Sequence, residues 1–350
     1  QDGAKLDPSV RAGYLFNTTI AGIEDADACL VVGANPRREA AMINARLRKR
    51  FLQGGFRVGV IGEQMDLTFQ TEYLGAGPDT LAEVASGRNS FAEVLRNAER
   101  PMIIVGQGAL ARSDGSAVLA TCREIAEGFG MVGESWNGFN VLHTAAARVA
   151  GLDMGFVPGE GGRDVAGMLA AAESGELDVL YLLGADELDA ERLSKPFVIY
   201  QGHHGDEGAH AADVVLPGAA YTEKNATYVN TEGRVQLGRL AVNPPGEARE
   251  DWAILRALSG YTGPKPLPYD NLGQVRQKLI AANPVFAAVD QVAQAAWGAF
   301  GTPGTMASAP FTTPIANFYM TDPISRNSET MARCTETFLR KHNKATGTHA

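Results

Sequence analysis

Short, uninterrupted apolar runs that end at glycine or proline recur along the first two thirds of the chain. Runs of Val, Ile and Leu without polar alternation are typical of strands that are covered on both faces, as in a parallel sheet. These runs therefore predict strands of a buried, mostly parallel sheet. They are ACLVVG at 28–33, RVGVIG at 57–62, MIIVG at 102–106, VLYLLG at 179–184 and DVVLPG at 213–218.

The segments between these runs carry apolar residues at the spacing of a helix, with charged residues between them. They predict helices over 37–51, 115–129, 140–151 and 163–172. Strands that alternate with helices are typical of an α/β fold, in which right-handed crossovers place helices on both faces of the sheet. The pattern therefore predicts doubly wound, mostly parallel sheets.

The pattern changes in two places. A glycine-rich stretch at 130–162 interrupts it and indicates a boundary between two α/β units. After Leu216, the runs ATYVNT and RVQLGRLAV flank a turn at Glu232 and Gly233 and predict a hairpin. Helices are predicted over 250–259, 271–280 and 285–299, followed by a low-complexity loop at 301–314. The predicted division is a first α/β unit at 1–130, a second at 131–220, a hairpin and helix segment that packs on the α/β body at 221–282, and a helix, the low-complexity loop and a C-terminal extension at 283–350.

The composition is that of an ordinary globular chain. Of the 350 residues, 45% are hydrophobic and 20% are charged, which excludes disorder along the whole length. The formal net charge of −9 disfavours wholesale binding to nucleic-acid phosphates. No apolar run reaches the length of a transmembrane helix. The first ten residues contain neither an apolar signal segment nor an initiator Met, so we expect the chain to begin inside a longer polypeptide.

The three cysteines, Cys29, Cys122 and Cys334, are far apart in the sequence and form no CxxC pair. A zinc or iron-sulfur centre needs three or four thiolate or imidazole ligands that converge on one point, and two of them normally come from one loop. The spacing therefore predicts no such centre in this chain. An odd and sparse cysteine count also favours a reducing compartment.

Gly106, Gly108 and Ala111 follow the strand MIIV in the pattern of a dinucleotide fingerprint. In a binding site, such glycines let the backbone approach a pyrophosphate at the start of a helix. Here Arg112 and Ser113 intervene, and the helix is expected to begin after Ser113. A tight strand-to-helix turn is the favoured interpretation, and a free-standing nucleotide-binding protein is the alternative.

Gly33, Ala34, Asn35 and Pro36 also close a strand, and the sequence predicts that Asn35 caps a helix whose first residue is Pro36. Free amides at this helix start, together with Arg37 and Arg38, offer a site for a phosphate. Residues 37–50 carry six basic side chains and one acidic one. Such a run is typical of a solvated helix face, and a site for an anion or a partner is the alternative.

His203, His204, Asp206 and His210 follow the predicted strand FVIYQ on a glycine-containing loop. A fourth ligand of a suitable type is not visible nearby, so no metal site is predicted here. The loop nevertheless follows the carboxyl end of a parallel strand, which is where α/β proteins place ligands. A pocket is therefore favoured over a metal.

The most specific stretch lies at 198–258. Its core is Ala-Asp-Val-Val-Leu-Pro at 212–217, then Glu223, and then Asn-Thr-Glu-Gly-Arg at 230–234, and it resembles the molybdopterin oxidoreductase superfamily. The longer version, with Tyr-Gln-Gly-His-His-Gly-Asp at 200–206 and Ala-Thr-Tyr-Val at 226–229, is similar to one branch of it, the large iron-sulfur subunits of respiratory complex I (NADH:quinone oxidoreductase). Segments 14–22, 32–37 and 317–326 are similar to the same branch.

The resemblance implies a structural role for this portion of such a subunit. Complex I passes electrons from NADH through FMN and iron-sulfur clusters to quinone and couples this transfer to proton translocation. The resemblance places 4Fe-4S and 2Fe-2S clusters in a cysteine-rich region that precedes this portion, and it places FMN in a partner subunit that binds NADH. It thus implies α/β domains with no catalytic residue, no metal and no cofactor of their own.

The alternative is a catalytic molybdopterin-dependent oxidoreductase, related to formate dehydrogenase or nitrate reductase. In that case residues 33–36, 202–206 and 225–234 would line the cofactor. The expected partners are other peripheral-arm subunits of complex I, with candidate contacts at 37–50 and 317–334, and neither nucleic acid nor lipid is expected to bind. The expected location is the cytoplasmic face of a bacterial inner membrane, or the matrix face in mitochondria. The residues that a relic pterin site would use are Gly33, Asn35, Gly202, His203, Asn225 and Asn230.

Overall fold

The computed structural model describes residues 3–205 and 207–340. Its first sheet is fully parallel and has the strand order β3-β2-β1-β4-β5. Every residue of β1 and β4, two of the three interior strands, is buried, as the continuous apolar runs predict. The strands are β1 (Ala28–Val32), β2 (Arg57–Ile61), β3 (Glu72–Gly75), β4 (Pro101–Val105) and β5 (Phe139–Val141).

Helices cover both faces of this sheet. Leu30 and Val32 point to a core that Val118 and Leu119 share, whereas Cys29 points to a second core on the opposite face. The predicted doubly wound α/β class is confirmed. The helices of this part are α1 (Thr19–Gly22), α2 (Pro36–Glu39), α3 (Ala41–Leu52), α4 (Pro78–Ala85), α5 (Phe91–Asn97), α6 (Gln107–Leu110), α7 (Gly115–Gly128) and α8 (Arg148–Asp153).

The helix predicted over 140–151 is wrong, because this stretch begins with β5 and is helical only from Arg148. The cause is a buried amide. The Asn140 side chain donates to the carbonyls of Ile103 and Gly138, at 3.1 and 2.9 Å, and accepts from the Thr18 amide at 3.0 Å. These bonds fix an extended strand beside β4, which the apolar spacing alone does not reveal.

The second sheet contains three parallel strands in the order β6-β7-β8. Leu180, Leu182, Val198 and Tyr200 form a small core on one of its faces, against the segment that contains α9. The first sheet includes β5, which lies beyond residue 130, and the division of the chain into four units stays a prediction. The elements here are α9 (Val165–Ser174), β6 (Val179–Leu183), β7 (Phe197–Gly202), α10 (Glu207–His210) and β8 (Val214–Pro217).

The predicted hairpin is confirmed as β9 (Ala226–Val229) and β10 (Val235–Gly238), and it is antiparallel. Its turn contains Gly233, whose φ of +82° suits glycine. The next two predicted helices are confirmed as α11 (Asp251–Thr262) and α12 (Leu272–Ala282).

The helix predicted over 285–299 is wrong. A 3-10 turn at Pro284–Ala287 is followed by an extended chain without regular secondary structure through residue 300. Asp290, with a φ of +61°, leaves the helical region, and the Trp297 and Phe300 rings pack on Phe139 of β5. The C-terminal part contains α13 (Pro323–Arg326) and α14 (Glu329–Cys334), followed by a π-helix at Thr335–Arg340.

Candidate functional site

The first sheet has a switch point between β1 and β4. The chain proceeds from β1 to β2 on one side and from β4 to β5 on the other, so the loops after β1 and β4 diverge. In open α/β sheets, ligands bind in the crevice outside the carboxyl ends of the strands at such a point. The two loops, residues 33–36 and 106–110, therefore define the candidate site.

Glycines bring these two loops into direct contact. Gly33 has a φ of +55°, and a Cβ atom there would lie 2.5 Å from the Ala109 nitrogen. A Cβ on Gly106 would lie 2.4 Å from the Gly33 oxygen, and a Cβ on Gly108 would lie 2.0 Å from the Thr312 oxygen. The glycines of the fingerprint thus allow close approach of the chain's own backbone, as the favoured interpretation of a tight turn requires.

The helix start after this fingerprint differs from the prediction. The single turn of α6 begins at Gln107, directly after Gly106, and the long helix α7 begins at Gly115. The expectation that the helix begins only after Ser113 is therefore right for α7 and wrong for the turn at the glycines.

The prediction that Asn35 caps α2 is wrong. Pro36 is the first residue of α2, as predicted, but the Asn35 side chain makes no capping bond. Its Oδ1 atom is buried and has no hydrogen-bond partner among the described residues. Instead, the Asn35 amide donates to Glu39 Oε1 at 2.7 Å. A carboxylate of the chain itself thus occupies the predicted place of a phosphate.

Glu39 has an unusual environment for an acid. Burial raises its pKa, hydrogen bonds from the Asn35 amide and the Thr313 hydroxyl lower it, and the nearby Glu63 raises it further, with a net increase. A partly desolvated carboxylate at the helix start repels a second anion. The electrostatics at this end of β1 are therefore unfavourable to a phosphate group.

The basic run at 37–50 finds acidic partners within the chain. These ion pairs join α2 and α3 to neighbouring loops, which accounts for much of the charge without an external anion. We therefore assign the paired cations an internal role before any contact with another subunit. The pairs are Arg37 with Asp66 at 2.9 Å, Lys49 with Glu24 at 2.7 Å, and Arg46 with the same Glu24.

Gly202, His203 and Asn225 lie around the carboxyl end of β7 in the second sheet. The Nδ1 atoms of His203 and His204 are 2.6 Å apart. Burial lowers the pKa of His203, and the neighbouring His204 and Lys224 lower it further. The backbone amide of Asn225 donates to Glu250 Oε1 at 3.0 Å, and this bond holds the start of β9 in place.

A metal site near these histidines is tested only within the described residues. Asp206, a member of the predicted group, lies outside them. Throughout 3–205 and 207–340, no three His, Cys, Asp or Glu side chains are grouped so that they could hold a metal ion. The expectation of no metal stays a prediction.

Asn230 lies near the first sheet. It lines a cavity of about 380 Å³ together with Glu39, His143, Tyr228 and Gln236. Its Oδ1 accepts the Arg234 amide at 2.9 Å and so fixes the hairpin turn. The structure thus divides the six predicted residues into two groups, with Gly33, Asn35 and Asn230 at the first sheet and Gly202, His203 and Asn225 at the second.

The sequence did not reveal two structural features. One is a buried ionic cluster in which Arg11 and Tyr14 bind Asp153. The other is residues 297–313, here named the strap, which follows α7 and ends at the carboxyl edge of the first sheet. Phe300 and Phe311, two aromatic residues in a stretch of small residues, were the available signal for the strap.

A pterin dinucleotide, which the resemblance implies for catalytic members of the superfamily, does not fit between the loops after β1 and β4. Its phosphates would need free amides and an open backbone at the glycines. Here the Asn35 amide is bound to Glu39, and the Thr312 carbonyl covers Gly108. No mechanistic step is therefore assigned to such a group at this crevice.

Among the described residues, none of the helices combines the length and the apolar character needed to cross a bilayer.

Comparison with known proteins gives two family matches. The molybdopterin oxidoreductase model matches residues 1–261, and the model of the C-terminal part of the NADH-ubiquinone oxidoreductase G subunit matches residues 281–334. The first of these covers well over half of the chain.

Several curated proteins are similar over almost the entire chain. The NADH-quinone oxidoreductase G subunit of Rickettsia bellii is 42% identical over 332 residues, which are 95% of this chain and 47% of that protein. The mitochondrial NADH-ubiquinone oxidoreductase 78 kDa subunit of Neurospora crassa is 43% identical over 93% of this chain and 44% of its own length. The mitochondrial NADH dehydrogenase [ubiquinone] iron-sulfur protein 1 of Solanum tuberosum is 43% identical over 95% of this chain and 44% of its own length.

The chain spans about half the length of the curated relatives it matches. The resemblance expected from residues 198–258 and 317–326 is confirmed by the two family models and by these relatives. The chain belongs to the molybdopterin oxidoreductase family, in the branch that carries the C-terminal segment of the NADH-ubiquinone oxidoreductase G subunit.

Proposed function

We propose that this chain is a structural portion of the large iron-sulfur subunit of a proton-translocating NADH:quinone oxidoreductase. The observation that carries the proposal is the similarity to such subunits over about 95% of the chain, including the C-terminal segment that is specific to them. The FMN and the iron-sulfur clusters then lie outside this portion, in the rest of the subunit and in its partners.

The thiols of the chain support this absence of a redox centre. A cluster needs several thiolates that converge on one point. Cys29 and Cys122 lie in separate cores, and burial raises the pKa of both thiols, which keeps them protonated. Cys334 lies in α14 near the C-terminal end of the described chain.

The second sheet indicates how the portion packs in the subunit. Parallel sheets are normally covered on both faces. The face of this sheet opposite its core exposes apolar side chains, with Val179 54% exposed, Leu183 52% and Phe197 47%. The matched part is about half of the relative's length, so the relative has a further part of similar length. We propose that this remaining part of the subunit covers the exposed face.

A scaffold of this kind holds the cluster-bearing part in place and keeps water away from it. The proposed partners beyond the subunit are other peripheral-arm subunits, including the flavin-bearing one that binds NADH. The proposed location is peripheral, on the cytoplasmic face of a bacterial inner membrane or on the matrix face in mitochondria.

The test is affinity purification of the tagged full-length subunit from membranes. We expect NADH:quinone reductase activity, FMN and iron to co-purify with it. In the Phe197→Asp variant, the charge on the proposed packing face should reduce the amount of assembled complex several-fold, whereas Tyr261→Asp, at a 91% exposed position of α11, should not. Recovery of the subunit without the activity, or equal assembly of both variants, would contradict the proposal.

The family match over residues 1–261 also supports a second candidate, a catalytic molybdopterin-dependent oxidoreductase. Acid release of a fluorescent pterin from the purified subunit, in stoichiometric amount together with molybdenum, would establish it. The contact of Thr312 with Gly108 in the β1/β4 crevice argues for a blank result.

A further inference from the structure

The strap begins with an aromatic anchor on the first sheet. The Trp297 and Phe300 rings lie 5.5 and 5.0 Å from the Phe139 ring of β5, centroid to centroid. Phe300 is almost fully buried and covers Gly13, where a Cβ atom would lie only 2.8 Å from its ring. Arg123 of α7 donates to the Phe300 carbonyl at 3.0 Å. The start of the strap is thus fixed by aromatic packing and by a charged donor.

The strap then follows α7 at very close range. Gly301 has a φ of +70°, and a Cβ atom there would lie 2.5 Å from the Ala120 nitrogen. The Thr302 amide donates to the Ser116 carbonyl at 3.1 Å. Only glycine can adopt this backbone conformation without strain and also fit the space at position 301.

An ion pair holds the middle of the strap. Arg112 binds Asp114 through two hydrogen bonds, at 2.7 and 2.9 Å, and donates to the carbonyls of Ala309 and Pro310 at 2.8 and 3.1 Å. Asp114 in turn accepts the Ala307 amide at 2.7 Å. One guanidinium has five N–H donors, so it can bind several backbone carbonyls of a segment that has no regular secondary structure of its own.

The end of the strap fills the crevice. Phe311 is 0% exposed in the first core, and its amide donates to the Ala76 carbonyl at 2.9 Å. The Thr312 carbonyl lies over Gly108, and the Thr313 hydroxyl lies 3.2 Å from Glu39 Oε1. The strap therefore contacts the loop after β4 directly and reaches the loop after β1 through Glu39, which binds the Asn35 backbone amide.

The chain beyond the strap reaches the second sheet. Arg326 binds Asp186 at 2.6 Å and Glu187 at 2.7 Å, and both acids lie just after β6. The Asp186 side chain is almost fully buried. One continuous segment, residues 297–326, thus joins the carboxyl edges of both parallel sheets.

We propose that residues 297–326 act as a built-in tie that takes the place of a ligand at the carboxyl edges of the two sheets. The tie lies entirely within residues 281–334, the segment matched by the model specific to the complex I subunit, and outside residues 1–261, the segment matched by the general family model. The tie fills the crevice between the loops after β1 and β4, and through Arg326 it holds the second sheet against the first. The tie depends only on contacts within the chain, so its presence does not depend on the proposed function.

Hydrogen exchange of the full-length wild-type subunit, followed by mass spectrometry, tests the tie without any substitution. The amides of Thr302, Ala307 and Phe311 are hydrogen-bonded donors in the structure. We expect these amides to exchange as slowly as those of β1, because a segment that fills a crevice opens only with the surrounding fold. Exchange at the rate of an unprotected loop would overturn the proposal, and so would stoichiometric pterin in the same preparation.

Two substitutions then test the middle of the strap and the contact with the second sheet. Arg112→Gln removes the ion pair with Asp114 and the hydrogen bonds to Ala309 and Pro310, and we expect exchange in 33–36 and 106–110 to rise at least tenfold. Arg57→Gln is the matched control, since Arg57 also binds a carboxylate, Glu72, through two bonds of 2.7 Å but does not contact the strap. Arg326→Gln should raise exchange in 184–188 and leave 106–110 unchanged. No change in the Arg112 and Arg326 variants, or an equal change in the control, would refute the tie.

Discussion

Replacing Asp153 with alanine is expected to destabilise the fold strongly, because this carboxylate is the buried centre of a cluster that joins distant segments. Arg11 donates to it at 2.7 and 3.0 Å, and the Tyr14 hydroxyl donates at 2.9 Å. The Asp153 side chain is 0% exposed and that of Arg11 is 18% exposed. Asn283, just after α12, binds the Asp153 carbonyl at 2.7 Å, so distant parts of the chain meet here.

The expected magnitude follows from what the substitution leaves behind. Removal of one partner of a buried ion pair costs about 3–5 kcal/mol, because the other charge stays buried without compensation. Arg11 is partly exposed and keeps a bond to the Gly233 carbonyl at 3.1 Å, so the lower end applies to the ion pair. The Tyr14 hydroxyl also loses a charged acceptor. We therefore expect a loss of about 3–4 kcal/mol in the free energy of unfolding.

The assay is urea unfolding followed by circular dichroism at neutral pH. The control is Glu176→Ala, which breaks the pair of Arg163 and Glu176, in which both side chains are exposed, and should cost less than about 1 kcal/mol. Tyr14→Phe should be less costly in the Asp153→Ala background than in the wild type, because its partner is already gone. A loss below about 1 kcal/mol in Asp153→Ala would refute the reasoning.

Three further predictions concern the crevice and the strap. Burial raises the pKa of Glu39 in the folded chain, so the contribution of this residue to stability falls as pH rises above the ordinary pKa of 4.5, and Glu39→Gln should gain in urea midpoint relative to wild type as pH rises above that value. The hydrogen bond from Arg112 lowers the pKa of Asp114 from 3.8 to about 2. The stability deficit of Asp114→Asn should therefore be complete at neutral pH and should fade as pH falls from about 4 to about 2 in thermal unfolding. Gly33→Ala combines a positive φ with a 2.5 Å overlap on backbone and should lower the melting temperature more than Gly54→Ala, which has a positive φ and open space. Equal shifts for the two glycines would exclude the overlap as the cause.

The sequence predicted the parts of the fold that a local pattern of apolar residues determines. The buried strand β1 and the long helix α7 appear directly as an apolar run and as helical spacing. The edge strand β3 did not appear, because Glu72–Gly75 is only partly buried and its polar and apolar residues carry no clear period. The strand β5 did not appear because the Asn140 side chain and its long-range partners fix it.

The candidate site was predictable to the same limited degree. Gly33, Gly106 and Gly108 indicated that something approaches the backbone closely after β1 and β4, and the structure confirms close approach. The sequence does not identify the group that contacts this backbone, because the same glycines suit a pyrophosphate and a neighbouring carbonyl. The distinction depends on Thr312, which is more than 200 positions away in the chain from Gly108.

The composition that indicated a low-complexity loop at 301–314 is also the composition that a closely packed segment requires. A side chain at position 301 would collide with α7, because a Cβ atom there would lie 2.5 Å from the Ala120 nitrogen. Small residues keep the backbone within hydrogen-bonding distance of Arg112, and the two phenylalanines, Phe300 and Phe311, supply the buried apolar area that fixes the ends. A stretch of small residues bounded by aromatic residues, next to a glycine-lined strand end, therefore indicates a segment that fills a crevice.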